Sequence, residues 1–107
     1  MTSLVVDPGP CGFTSKIQVV RVSARRAQVT VESDCEQVNR MGSELADLDI
    51  RSVMRPPGES IVYQIAARHA CHLTCPLPLA ILKGIEAEFQ LALPRPVTIR
   101  FELDDPG

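Results

Sequence analysis

The sequence predicts one α+β domain: a small antiparallel sheet with helices packed on one of its faces. Three observations predict it. Two stretches, Lys16–Val22 and Ala27–Glu32, alternate apolar and polar residues with the period of a strand, and a short polar loop separates them. From Val38 onward the apolar spacing changes to that of a helix. The chain of 107 residues, 45% of them hydrophobic, is long enough for a real core and short enough to hold only one. Residues 1–107 are therefore expected to form a single domain, with elements in the order β-β-β-α-α-α-β.

Leu4-Val5-Val6 is a short strand candidate that stops at Asp7-Pro8-Gly9-Pro10. The two prolines cannot donate to a sheet ladder and Gly9 can take a positive φ, so this stretch is a turn. Cys11-Gly12 leads out of it toward the second strand, where Ile17 and Val19 share a face. Ser23–Arg26 makes the hairpin loop, and Ala27, Val29 and Val31 form the buried row of the third strand. Arg21, Arg25 and Arg26 are expected to be solvated around that hairpin.

Ser33-Asp34-Cys35-Glu36-Gln37 opens the first helix, with Asp34 as cap and Gln37 completing a capping-box pattern. Val38, Met41, Leu45 and Leu48 give its buried stripe, and Gly42 permits close packing. Arg55-Pro56-Pro57-Gly58 is a break, after which Ser60 caps a helix with Ile61, Val62, Ile65, Ala66 and His69 on one side. His69 is expected to be a satisfied boundary residue. Thr74 or Cys75 caps a third helix, with Pro76 in its first turn and Leu79, Leu82, Ile85 and Phe89 as its stripe. Leu93-Pro94-Arg95-Pro96 ends it. Val97, Ile99, Phe101 and Leu103 then alternate with polar residues in an expected final strand, before the frayed Asp104-Asp105-Pro106-Gly107.

Composition narrows the function classes. Net charge is −2, pI is about 5.6, and there are only three Phe, one Tyr and no Trp, so neither a polyanion-binding patch nor a base-stacking surface is expected. Nucleic acid is excluded as a partner on that ground. No apolar run reaches the roughly 18 residues of a membrane span, and the first residues lack the pattern of a signal peptide, so a cytoplasmic location without membrane attachment is expected. No phosphate loop, nucleophile elbow or acid–base set stands out, and Glu86 and Glu88 read as the polar side of a helix. No catalytic residue is assigned.

The chemistry lies in four cysteines. Cys11 leaves a Pro/Gly turn, while Cys35 and Cys75 sit at expected helix starts, where backbone N–H groups favour a thiolate. Cys71 and His72 lie just before Cys75. In a reducing compartment such cysteines are thiols or ligands rather than disulfides. Zinc and iron–sulfur clusters both require deprotonated sulfur tuned by such donors. Inert core thiols, or a redox pair made by Cys71 and Cys75, are the competing readings of the same residues.

Pro10-Cys11-Gly12, the strand pair, Cys35 at a helix start and a late Cys75 before Leu79-Ala80-Ile81-Leu82-Lys83 resemble iron–sulfur cluster scaffolds of the NifU N-terminal type. That resemblance implies cluster binding by Cys11, Cys35 and Cys75, with iron–sulfur or redox proteins as partners and zinc as the alternative occupant. The chain also resembles a small uncharacterised prokaryotic family. Its marks here are Cys11-Gly12-Phe13, Ser33-Asp34-Cys35, Cys75-Pro76-Leu77-Pro78, Lys83-Gly84-Ile85-Glu86 and Leu91-Ala92-Leu93-Pro94. The scaffolds carry an aspartate where this chain has Phe13, and a histidine directly before the third cysteine where it has Thr74. Those departures imply a group that is retained rather than handed on, with Cys71 or His72 as the fourth ligand.

Overall fold

The computed structural model describes residues 1–10, 12–69 and 71–104. Four antiparallel strands lie in the order β1 (Thr2–Val6), β2 (Ser15–Arg21), β3 (Arg26–Ser33) and β4 (Leu48–Asp49). The helices are α1 (Glu36–Leu45), α2 (Ile50–Val53), α3 (Ile61–Arg68) and α4 (Leu77–Glu88). Among the described residues, no helix is long and apolar enough to cross a membrane.

Alternation decides which face of the sheet is covered. Thr2, Leu4 and Val6 stand opposite Val19, Ile17 and Ser15, which stand in turn opposite Val29, Val31 and Ser33. Residues directly opposite in an antiparallel pair share a face, so these rows form one continuous inner surface. Ile17 and Val19 there are fully buried. The other face, with Ser3, Val5, Lys16, Gln18, Gln28, Thr30 and Glu32, is exposed. α1 packs over β3, α4 packs over β1 and β2, and α3 bridges the two helices.

α4 approaches the sheet most closely at Gly84. A Cβ there would come within 2.6 Å of Leu4 Cδ1 and 3.0 Å of Val19 Cγ2, so the bare backbone sets the distance between the layers. Gly42, the position expected to allow close packing, faces open space instead. The buried stripe of α4 is accordingly Leu77, Pro78, Ile81, Gly84 and Ile85, continued by Phe89. Leu79 is exposed and Leu82 half-buried, because the side of the helix carrying Gly84 is turned to the sheet.

The element order departs from the expected one at three places. Leu48 does not extend α1. It starts β4, a two-residue strand paired with Arg26 and Ala27. Asp49 then caps the short α2, accepting from the Arg51 N–H at 2.9 Å. The expected final strand does not form: residues 93–104 have no regular secondary structure, and Ile99, Phe101 and Leu103 are exposed. A strand pattern specifies which face would be buried, but a strand also needs an edge to pair with, and among the described residues no strand pairs with this segment.

Candidate functional site

The N-terminal ends of α1 and α4 and the loop closing α3 meet at one edge of the core. Each brings a cysteine there for a local reason. Cys35 is the N-cap residue of α1, one position before the first turn in which it was expected, and its C=O accepts the first helical bond from Asn39 N–H. Neither Asp34 nor Gln37 makes the expected capping box. Ser33 Oγ instead accepts from the Cys35 N–H at 3.1 Å, and Asn39 Nδ2 donates to Ser33 O at 2.7 Å. Cys71 is held by its N–H donating to Ala66 O at 3.1 Å, a bond that closes the end of α3. Cys75 follows in a turn, with its N–H donating to His72 O at 3.0 Å. Pro76 is the N-cap residue of α4 and Pro78 lies in the first turn, where a missing N–H costs no helical bond.

Cys35, Cys71, Cys75 and His72 line a single cavity of about 100 Å³, walled by apolar residues that include Val6, Val38 and Leu77. Pro8 and Phe13, from the loop joining β1 to β2, line it as well. That loop turns tightly, with Gly9 and Gly12 at positive φ, the Gly12 N–H bonded to Gly9 O, and Asp7 Oδ1 accepting from the Gly9 N–H. Cys11, the first expected ligand, lies outside the described residues. Gln37, marked in the sequence only as part of a capping box, also reaches the cavity.

Cys35, Cys71 and Cys75 are free thiols, each half-buried. Cys71 Sγ donates to Met41 Sδ at 3.6 Å. Burial pushes the Cys71 thiol up to about 11, and the neighbouring Cys75 and Cys35 sulfurs push it the same way. The Cys35 and Cys75 sulfurs thus sit close enough to Cys71 to oppose its ionisation. A soft cation among them would remove that opposition, because it favours thiolate and offsets repulsion between thiolates. The donor set of sulfur and imidazole fits zinc or an iron–sulfur cluster. Among the described residues, no three His, Cys, Asp or Glu side chains already stand at metal-ligand geometry.

His69 lies apart from this cavity. It caps α3 and pairs with Glu44 of α1, which also accepts from Arg68 Nη2 at 2.6 Å. Its role as a satisfied boundary residue is what the structure shows. One expectation for a charged residue is corrected. Glu88 is not merely a polar-face residue: its side chain is only 11% exposed, and it accepts from Thr2 Oγ1 at 2.7 Å and Arg21 N–H at 2.9 Å. Arg21 is exposed as expected, and its guanidinium lies over the Phe89 ring at 4.6 Å from its centre. Arg26 bonds Asp47 across the β3–β4 pair at 2.8 Å.

The sequence profile of a family of unknown function (DUF6951) matches residues 2–101, and the chain belongs to that family. No curated protein and no solved structure matches it.

Proposed function

We propose that this member of the family binds an iron–sulfur cluster or a zinc ion through Cys11, Cys35 and Cys75, with His72 as the fourth donor, and retains it. The observation that carries the reading is the convergence of Cys35, Cys71, Cys75 and His72 on one apolar-walled cavity. The scaffold resemblance of the NifU N-terminal type supports the choice of three cysteines, and Pro8 and Phe13 bring the loop that contains Cys11 in sequence to the same cavity. Phe13 stands where an aspartate would lie in such scaffolds. An apolar side chain there offers no carboxylate to compete for the metal, which favours retention.

His72 is favoured over Cys71 for the fourth position on local grounds. Cys71 directs its thiol at Met41 and is costly to ionise, whereas a neutral imidazole ligates without adding charge among three sulfurs. On this reading the protein is not an enzyme, and its partners are iron–sulfur or redox proteins.

Protein purified without oxygen and analysed for iron, sulfide and zinc tests the proposal. The expected result is a stoichiometric metal content that falls to trace in Cys11→Ser, Cys35→Ser and Cys75→Ser alike. His72→Ala should lower it, and Cys71→Ser should leave it unchanged. Wild-type protein with no metal above trace would sink the proposal. The closeness of Cys71 and Cys75 favours a second reading, a thiol redox pair with Cys75 as the attacking sulfur. It requires metal-free protein that forms a reversible Cys71–Cys75 disulfide on mild oxidation.

A further inference from the structure

The segment after α4 has the chemistry of a strand and no strand to pair with. Val97, Ile99, Phe101 and Leu103 alternate with Thr98, Arg100 and Glu102, a β-branched and aromatic row opposite a polar one. Those four apolar residues are 55%, 81%, 87% and 82% exposed. Among the described residues, no hydrogen bond joins 96–104 to the body of the fold. The molecule measures 55 Å along its longest axis against 29 and 24 Å across, as an arm held away from a small body requires.

The same fold has an open sheet edge. β1 pairs with β2 on one side, and among the described residues its other side has no partner strand along Thr2–Val6. Edge strands are ordinarily blunted by lysine, proline, a bulge or a covering element. Thr2-Ser3-Leu4-Val5-Val6 contains no charged residue and no proline, and its pairing to β2 runs without a bulge. Leu4, on the inner face, and Ala80 of α4 pack against the core yet remain half-buried. The opposite edge is less available. β4 occupies it at Arg26–Ala27, and Asn39 takes the carbonyl of Ser33.

We infer that residues 97–103 form a strand in trans, pairing with the β1 edge of a second copy of this chain while that copy's arm pairs with the first. Addition to β1 places the apolar row beside Leu4 on the helix-covered side and leaves Thr98, Arg100 and Glu102 in solvent, so no charge is buried. Seven extended residues span roughly 23 Å, enough to cover all of β1. Reciprocal exchange closes with two-fold symmetry: both arms find an edge and both edges are covered, so association stops at the dimer. Two arms, each carrying a phenylalanine and three aliphatic side chains, offer on the order of 1,000 Å² of buried surface, the size a specific interface needs. The inference does not depend on the metal reading.

Sedimentation of the full chain over a range of concentrations, combined with amide hydrogen exchange, tests it. The expected mass is twice the 11.7 kDa of the chain, with amides of 98–102 and of β1 protected together in a concentration-dependent way. Ile99→Asp and Phe101→Asp should each weaken the dimer by about 100-fold or more, because a carboxylate would enter the apolar row. Thr98→Asp, on the solvent row, should leave it intact. All three sites are exposed in the protomer, so an unchanged circular dichroism spectrum is expected for each. A chain that stays monomeric at every concentration overturns the inference, including one whose arm is protected by folding onto its own β1. A dimer that survives both Ile99→Asp and Phe101→Asp overturns it as well.

Discussion

The two ends of α4 are built on opposite principles. At the C-terminal end, polar groups are paired and the ring is stacked. Glu88 accepts from Thr2 and Arg21, Phe89 lies under the Arg21 guanidinium, and the helix closes with Gln90 N–H on Ala87 O and Leu91 N–H on Glu86 O. At the N-terminal end no side chain caps the helix, and three free thiols and an imidazole face a common cavity. One end joins the helix to β1 and β2. The other end holds sulfur and nitrogen donors, with the Cys71 thiol pushed up to about 11 by burial and by the neighbouring Cys75 and Cys35 sulfurs. On the proposed reading, that contrast separates the structural end of the helix from the end that binds a group.

The contrast breaks most visibly under substitution at the structural end. Ile85 is completely buried between α4 and the sheet. Ile85→Ala should cost about 2–5 kcal/mol by chemical denaturation, since it leaves a cavity that Gly84, with the backbone already against Leu4 and Val19, cannot collapse to fill. Glu88→Gln should cost on the order of 1–2 kcal/mol, by weakening charge-assisted bonds that hold the helix to β1 and β2. Bonds from the Arg21 backbone N–H and from Thr2 hold the Glu88 carboxyl below its ordinary value of 4.5. Its contribution is therefore present above that value and lost as the pH falls through the depressed one. Denaturation midpoints measured downward from pH 5 should drop faster in wild type than in Glu88→Gln.

Smaller effects sharpen the comparison. Gln90 sits at φ 60°, the left-handed position that glycine ordinarily takes after a helix. Gln90→Gly should raise stability by about 0.5–1 kcal/mol, read as an upward shift of the thermal midpoint. At the other end, Cys75→Ser should change the stability of metal-free protein by only about 0.5 kcal/mol, because the thiol is only half-buried and the swap is nearly isosteric. A loss as large as that of Ile85→Ala would make Cys75 a core residue and erase the distinction between the two ends.

How much of this was legible in the sequence follows from where each signal lives. β2 and β3 were plain because Ile17, Val19, Ala27 and Val29 obey a strict alternation that depends only on one face being buried. Cys35 and Cys75 were placed at helix starts to within a residue, since prolines and polar residues break the periodicity there. β4 left no trace, because two residues pair with Arg26 and Ala27 only after α1 has carried the chain back. The stripe of α4 was misplaced toward Leu79 and Leu82, since leucines attract attention and the contact is set by a glycine. Val97–Leu103 show the converse case: a correct pattern whose partner is not supplied by the surrounding fold. The meeting of Cys35, Cys71 and Cys75 depends on three elements docking at one edge, which no spacing along the chain could show.

The most direct test of the central claim is a cobalt titration of reduced, metal-free protein under nitrogen, since cobalt takes the same sulfur and nitrogen donors as zinc and reports them by absorption. The expected result is a one-to-one endpoint with tetrahedral d–d bands and a sulfur-to-cobalt charge-transfer band, the latter weakened in Cys35→Ser and in Cys75→Ser. A spectrum that stays that of the hydrated ion throughout the titration would contradict the account.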